Sequence, residues 1–161
     1  MNPKIVSLEK LRQHAKDLRA AGKKLVATNG CFDLLHVGHI RYLNAARAMG
    51  DALVVGINGD QSVRELKGPG RPINGENDRA ELLAALECVD LVTIFSDVRA
   101  TRFLELAGPD VYVKGGDYTS DSLNAEERAV LEKIGAKIDI VPLQKGYSTS
   151  RLLEQLRELA K

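Results

Sequence analysis

The chain has 161 residues, 44% of them apolar and 28% charged, which is enough for one buried core without disulfide or metal staples. Its net charge of +1, from 23 basic and 22 acidic residues, argues against a nucleic-acid groove, which needs a basic excess on one face. Cys31 and Cys88 lack CxxC spacing, no window approaches the roughly 18 apolar residues of a membrane span, and Met1–Ser7 has no signal-peptide core, so a cytoplasmic protein without membrane insertion is expected.

Ser7 opens a helical pattern with Leu8, Leu11, Ala15 and Leu18 on one face, closed by Gly22. Lys24–Thr28 reads as the first strand, Val37–Met49 as a helix closed by Gly50, and Ala52–Ile57 as a second strand. The near-continuous apolar run of that second strand fits a parallel sheet covered on both faces. Lys67–Pro72 is rich in glycine and proline and reads as a loop. Helix is predicted over 76–86, strand over 91–95, helix over 100–106 and strand over 111–114. A helix over 125–134, a strand over 138–142 and a last helix from Ser148 complete the chain.

Five strands alternating with helices imply right-handed crossovers and a Rossmann-like, doubly wound parallel sheet. The expectation is one domain over 1–161, with an N-terminal helix within 1–22 and a C-terminal helix over 148–161. In such folds the ligand lies beyond the carboxyl ends of the strands, where the strand order switches. The polar and glycine-rich stretches 29–33, 58–60, 114–117 and 147–150 all follow strands, so they should line one crevice.

The first of these stretches leads into Gly30-Cys31-Phe32-Asp33-Leu34-Leu35-His36-Val37-Gly38-His39. Two histidines at i, i+3 on a helix are neighbours roughly 5–6 Å apart. At a helix N-terminus, free N–H groups and the helix dipole favour anions, so the pair suits adjacent phosphates. After Asn29, Gly30 permits a tight turn, the N–H groups of Cys31 and Phe32 could cradle a phosphate with His36 and His39 completing the cage, and Gly38 keeps a side chain out of its way. An isolated HxxH also reads as a helix cap beside a surface residue, or as a metal pair, although no third Cys or Glu ligand is nearby. The hydroxyls of Ser148, Thr149 and Ser150 at the last helix start make a second anion site or a plain N-cap. Lys67 sits in a basic loop able to close over a triphosphate. Asn58 and Asp60 follow the second strand, and Lys114-Gly115-Gly116-Asp117 the fourth, with Asp117 able to accept from sugar hydroxyls. An acid beside a triphosphate repels it unless it meets Mg²⁺ or a backbone N–H, which makes Asp33 mainly structural.

Gly30-Cys31-Phe32-Asp33 with His36-Val37-Gly38-His39 resembles the GxFDxxHxGH signature of the HxGH nucleotidyltransferases. Within that superfamily the run from Asn29 to Lys161 is most similar to the heptose 1-phosphate adenylyltransferases. The similar segments are Lys67-Gly68, Arg71-Pro72-Ile73, Arg79-Ala80, Val89-Asp90, Asp110 through Tyr118, and Gly146-Tyr147-Ser148-Thr149-Ser150, with Ser150 where Thr is usual. The resemblance implies catalytic roles for His36, His39, Lys67 and Arg79. It implies a nucleotide site at Asn29, Gly30, Cys31, Phe32, His36, Gly38, His39, Lys114, Gly116, Asp117, Tyr147, Ser148, Thr149 and Ser150. On the substrate side it implies Asp33, Asn58, Asp60, Arg71 and Arg79. It further implies ATP and a sugar 1-phosphate as substrates, Mg²⁺ carried mainly by the ATP phosphates, no protein metal site, and a homo-oligomer. Because the superfamily also occurs fused to a sugar kinase, a chain starting at Met1 reads as the stand-alone form.

The reaction so implied joins ATP and D-glycero-β-D-manno-heptose 1-phosphate to give ADP-heptose and pyrophosphate. A phosphomonoester has a second pKa near 6, so the attacking oxygen is largely ionised at neutral pH and requires no general base. His36 and His39 are therefore expected as hydrogen-bond donors rather than proton acceptors. Two alternatives stand: a cytidylyltransferase for glycerol 3-phosphate or a similar alcohol, and a non-catalytic nucleotide-binding module. The absence of GxxxxGK[ST], of GxGxxG after the first strand, and of GxSxG disfavours P-loop, NAD and α/β-hydrolase readings.

Overall fold

Continuous apolar strands must be covered on both faces, and here they are. The computed structural model describes residues 2–116, 122–142 and 145–161. In chain order the elements are α1 Leu8–Ala20, β1 Leu25–Gly30, α2 Val37–Arg47, β2 Ala52–Asn58, α3 Asp60–Lys67 and α4 Glu76–Ala84. They continue with β3 Leu91–Phe95, α5 Thr101–Ala107, β4 Val111–Gly115, α6 Ala125–Ile134, β5 Lys137–Val141 and α7 Thr149–Leu159.

 

The last helix, α7, covers Thr149–Leu159. All five strands are parallel, in the order β3-β2-β1-β4-β5. The chain thus winds outward from β1 through β2 to β3, then returns to the other side of β1 for β4 and β5. The order switches between β1 and β4, which opens a crevice at their carboxyl ends.

Side chains alternate across each strand, and the two faces carry separate cores. On one face, Ala27, Val54 and Tyr112 pack with Leu11 and Ala15 of α1, Phe103 and Leu104 of α5, and Leu131 of α6. On the other, Val26, Leu53, Val55, Ile57 and Val113 pack with Tyr42, Leu43 and Ala46 of α2 and Leu83 of α4. Every residue of β2 is buried, and full burial of each such Val, Leu or Ile is worth roughly 1.5–3 kcal/mol. The Ser7 and Ser148 side chains cap α1 and α7 where helix starts were expected, and Asn124, not singled out in the sequence, caps α6 in the same way, each accepting from first-turn N–H groups.

The architecture matches the sequence expectation of a Rossmann-like α/β domain with a five-stranded parallel sheet, but two details differ. The first strand runs to Gly30, carrying Asn29 and Gly30 into the sheet, where they pair with Gly56 and Ile57. The segment after Asn58 forms α3, so Lys67 is the last residue of a helix and not part of the loop. Only Val63 of its eight residues is a buried apolar side chain, too little periodicity to reveal the helix. Gly68, with φ +93°, ends it, a backbone conformation that side chains resist.

Candidate active site

The two histidines occupy different positions in the first turn of α2. His36 is the extended N-cap and His39 lies three residues on, with ring centroids 3.8 Å apart in a stacked pair. The His36 backbone N–H donates to His39 Nδ1 at 3.3 Å. A neutral ring that accepts at Nδ1 carries its hydrogen on Nε2, so His39 offers Nε2–H as a donor. Burial, reinforced by the neighbouring His36, lowers the His39 pKa from 6.5 to about 4, and burial also lowers that of His36. Both rings are therefore neutral donors at neutral pH before any anion arrives. Phe32 packs against His39 with centroids 5.3 Å apart, from a left-handed backbone with φ +47°. That conformation is uncommon for a bulky residue and concentrates at functional turns.

Gly38 is required by packing against protein atoms. A Cβ there would come within 2.9 Å of the His36 ring and of Tyr147 Cβ. Its small size lets the α7 entry lie against the histidine turn, whereas the sequence reading assigned that room to a phosphate.

Asp33 and Arg79 fasten the turn after β1 to the segment before α4. The Asp33 carboxylate accepts from the N–H groups of Ile73 and Asn74 and from Arg71 Nε, all within 2.9 Å. Burial pulls the Asp33 pKa up, but these donors outweigh it and hold the carboxyl below its ordinary value. The backbone partners anticipated for Asp33 are thus present. Arg79 is wholly buried and donates to the Cys31 and Asn74 carbonyls and to Asp60 Oδ1. Arg79, expected on the substrate side, is thus held by two backbone carbonyls and by Asp60, whose side chain remains one-third exposed. An arginine this buried needs paired acceptors, and it has them.

A cleft of about 640 Å³ opens at the carboxyl ends of β1 and β4. Of the predicted residues, it is lined by Asn29, Gly30, Cys31, Phe32, Asp33, His39, Asn58, Lys67, Arg71, Lys114, Thr149 and Ser150. His36, Gly38, Asp60, Arg79, Gly116, Tyr147 and Ser148 are not on its wall, and Asp117 lies outside the described residues. Tyr112 Oη donates to Asn29 Oδ1 at 2.6 Å, leaving the amide NH₂ of Asn29 as the group for a ligand. Asn58 is held by the Asp97 and Val98 carbonyls at 3.4 Å each. Burial lowers the Lys114 pKa, offset by Glu127 and Cys31 and reinforced by Lys67. Burial likewise raises the Cys31 thiol, against the pull of Lys67, Arg79 and Arg71. Ser148 Oγ is engaged as the α7 cap, accepting from Arg151 N–H, while Thr149 Oγ1 donates to the Leu34 carbonyl at 3.3 Å.

The arrangement is a cleft at a sheet switch point with Lys67, Arg71, Arg99 and Lys114 on its wall. The profile of the cytidylyltransferase-like family matches residues 27–155. The chain belongs to this family. It is therefore a nucleotidyltransferase domain of the HxGH type. Among curated relatives of this cytidylyltransferase-like chain, "Bifunctional protein HldE" of Geotalea uraniireducens is 49% identical over 154 residues, covering 96% of this chain and 31% of that one. The chain thus spans about a third of the length of the HldE relatives it matches. A solved structure described as the lipopolysaccharide core biosynthesis protein of Thermoplasma volcanium is 31% identical with a TM-score of 0.64, covering 79% of this chain and 100% of that one. Pantoate-beta-alanine ligase from Francisella tularensis shares the fold, at 15% identity and a TM-score of 0.59, over 88% of this chain and 67% of its own.

Sequence reasoning missed Val98 and Arg99 after β3, and Ser122, Asn124 and Glu127 around the start of α6, all on the cleft wall of this cytidylyltransferase-like domain. The rule that polar residues after strands face the crevice, applied to β3, would have found Arg99. Glu127 carries no such signal, because an acid in the first turn of a helix is ordinary.

Proposed function

We propose that the chain is an adenylyltransferase joining ATP and D-glycero-β-D-manno-heptose 1-phosphate to give ADP-heptose and pyrophosphate, supplying heptose for lipopolysaccharide core or other surface glycans. The observation that carries this reading is a neutral His39 donor on the wall of a cleft that also holds Lys67, Lys114 and the Thr149–Ser150 helix start. The Lys-Gly-Gly-Asp-Tyr and Gly-Tyr-Ser-Thr segments, and a relative described by lipopolysaccharide core biosynthesis, support the heptose branch. An oxygen of the sugar phosphate attacks the α-phosphorus of ATP, the bond to the β-phosphate oxygen breaks, and pyrophosphate leaves with that electron pair. The nucleophile is already ionised, so catalysis consists of positioning and of stabilising charge on the α-phosphate and the leaving group. His39 and Lys67 serve that charge, His36 supports His39 by stacking, and the amides of Gly30, Cys31 and Phe32 orient the nucleotide.

Mg²⁺ fits this reading as a counter-ion of the ATP phosphates, where it would neutralise charge on the α-phosphate and pyrophosphate. Among the described residues no group of three His, Cys, Asp or Glu side chains is placed to hold a metal, and Asp33 is committed to Arg71 and two N–H groups. No helix among the described residues is long and apolar enough to cross a membrane. We place the enzyme in the cytoplasm, where its nucleotide is made, as a homo-oligomer of the kind its resemblance implies.

A pyrophosphate-release assay crossing ATP and CTP with several sugar 1-phosphates and glycerol 3-phosphate tests the reading. ATP with the heptose phosphate is expected to be the productive pair. Release from CTP with glycerol 3-phosphate would replace it with a cytidylyltransferase, and ATP binding without release from any pair would leave a nucleotide-binding module.

A further inference from the structure

Glu127 sits where a polyphosphate site should avoid an acid. It is only 7% exposed and forms part of the cleft wall beside Lys114. Its Oε1 accepts from the Ala100 backbone N–H at 2.9 Å, and among the described residues nothing else hydrogen-bonds to it. The second oxygen is not a buried unpartnered atom and so is open to the cleft, where bound substrates would strip its water and two anions would repel its charge. Both costs are offset if the second oxygen meets neutral donors that arrive with the ligand. Sugar hydroxyls are such donors, and their bonds to a carboxylate are short and strong. Asn124 stands beside it on the wall, its Oδ1 used by the Glu126 and Glu127 N–H groups, which leaves its amide NH₂ to donate. Arg99, on the same wall, is a cation for the phosphate of the same molecule.

We propose that Glu127, with Asn124 and Arg99, forms the subsite for the polyhydroxylated part of the sugar phosphate, Glu127 accepting from its hydroxyls. The inference rests on the adenylyltransferase reading and assigns its second substrate to the region between the β3–α5 connection and the start of α6.

The test is steady-state pyrophosphate release by wild type, Glu127→Gln and Glu127→Asp, with ATP and heptose 1-phosphate varied in turn and melting temperatures measured alongside. Gln can still accept from Ala100 N–H but presents a donor to the sugar. Its KM for the sugar phosphate should rise tenfold or more, with the KM for ATP within about twofold of wild type. Glu127→Asp, which keeps the charge on a shorter stem, should raise the same KM and covers the case in which Gln fails to fold. An active wild type with unchanged sugar-phosphate KM in the folded variants overturns this subsite alone. A wild type that releases no pyrophosphate overturns the adenylyltransferase reading and the subsite together.

Discussion

At pH 7 the His39 ring is neutral and its free hydrogen is on Nε2, because the His36 N–H occupies Nδ1. That geometry makes a donor toward a phosphate oxygen without requiring a net charge in the empty site. Substituting His39 by Ala should lower kcat on the order of 10²–10³-fold, the usual cost of one such donor. The KM for ATP should change little; steady-state kinetics with an equal kcat would remove His39 from the reaction. The same ring links stability to pH. Its folded pKa of about 4 lies below the ordinary 6.5, so between these values the unfolded chain binds more protons. The contribution of His39 is therefore complete above about 6.5 and is lost as pH falls toward 4. Thermal melts from pH 7 to 4.5 should show a smaller loss in His39→Gln than in wild type, and parallel losses would mean the ring is not held neutral.

The elements around the cleft are joined by side-chain hydrogen bonds as well as by packing, and Arg79 is the clearest case. It ties α4 to α3 through Asp60 and to the turn after β1 through the Cys31 carbonyl. Arg79→Met leaves two part-buried carbonyls and the Asp60 carboxylate without their donor, which should cost about 3 kcal/mol. For a domain of this size that is a fall in Tm of roughly 6–12 °C, to be read by calorimetry. An arginine that served substrate alone would instead leave Tm unchanged and raise KM. This role was not legible in the sequence, where Arg79 resembled a ligand-binding cation, since burial of an arginine depends on acceptors brought from distant segments. Asp33 was legible, because electrostatics near a polyphosphate demanded that it find N–H partners. The first helix, α1, was legible with its Ser7 cap and α6 by its apolar residues, while α3 was hidden by its single buried apolar residue.

For the molecule as a whole, the parallel sheet brings residues from Asn29 to Ser150 to one edge, and the alternation of strands and helices was enough to foresee that. Stability across this assembly is uneven. The strands β1 and β2 carry fully buried side chains in both cores, whereas α7 has no buried residue and exposes Leu156 and Leu159. Among the described residues, α7 meets the histidine turn through Tyr147 against Gly38 and Thr149 against the Leu34 carbonyl. Few buried contacts mean a low free energy of local opening, so α7 amides should exchange hydrogen far faster than those of β1 and β2. A triphosphate bound at the Thr149–Ser150 start would add charge-assisted bonds to that end of the helix. Hydrogen exchange followed by mass spectrometry, with and without saturating ATP and Mg²⁺, should show α7 slowing by about tenfold while β2 stays unchanged. Protection at the β1–α2 turn with none in α7 would place the triphosphate away from the last helix and leave Ser148 as a cap alone.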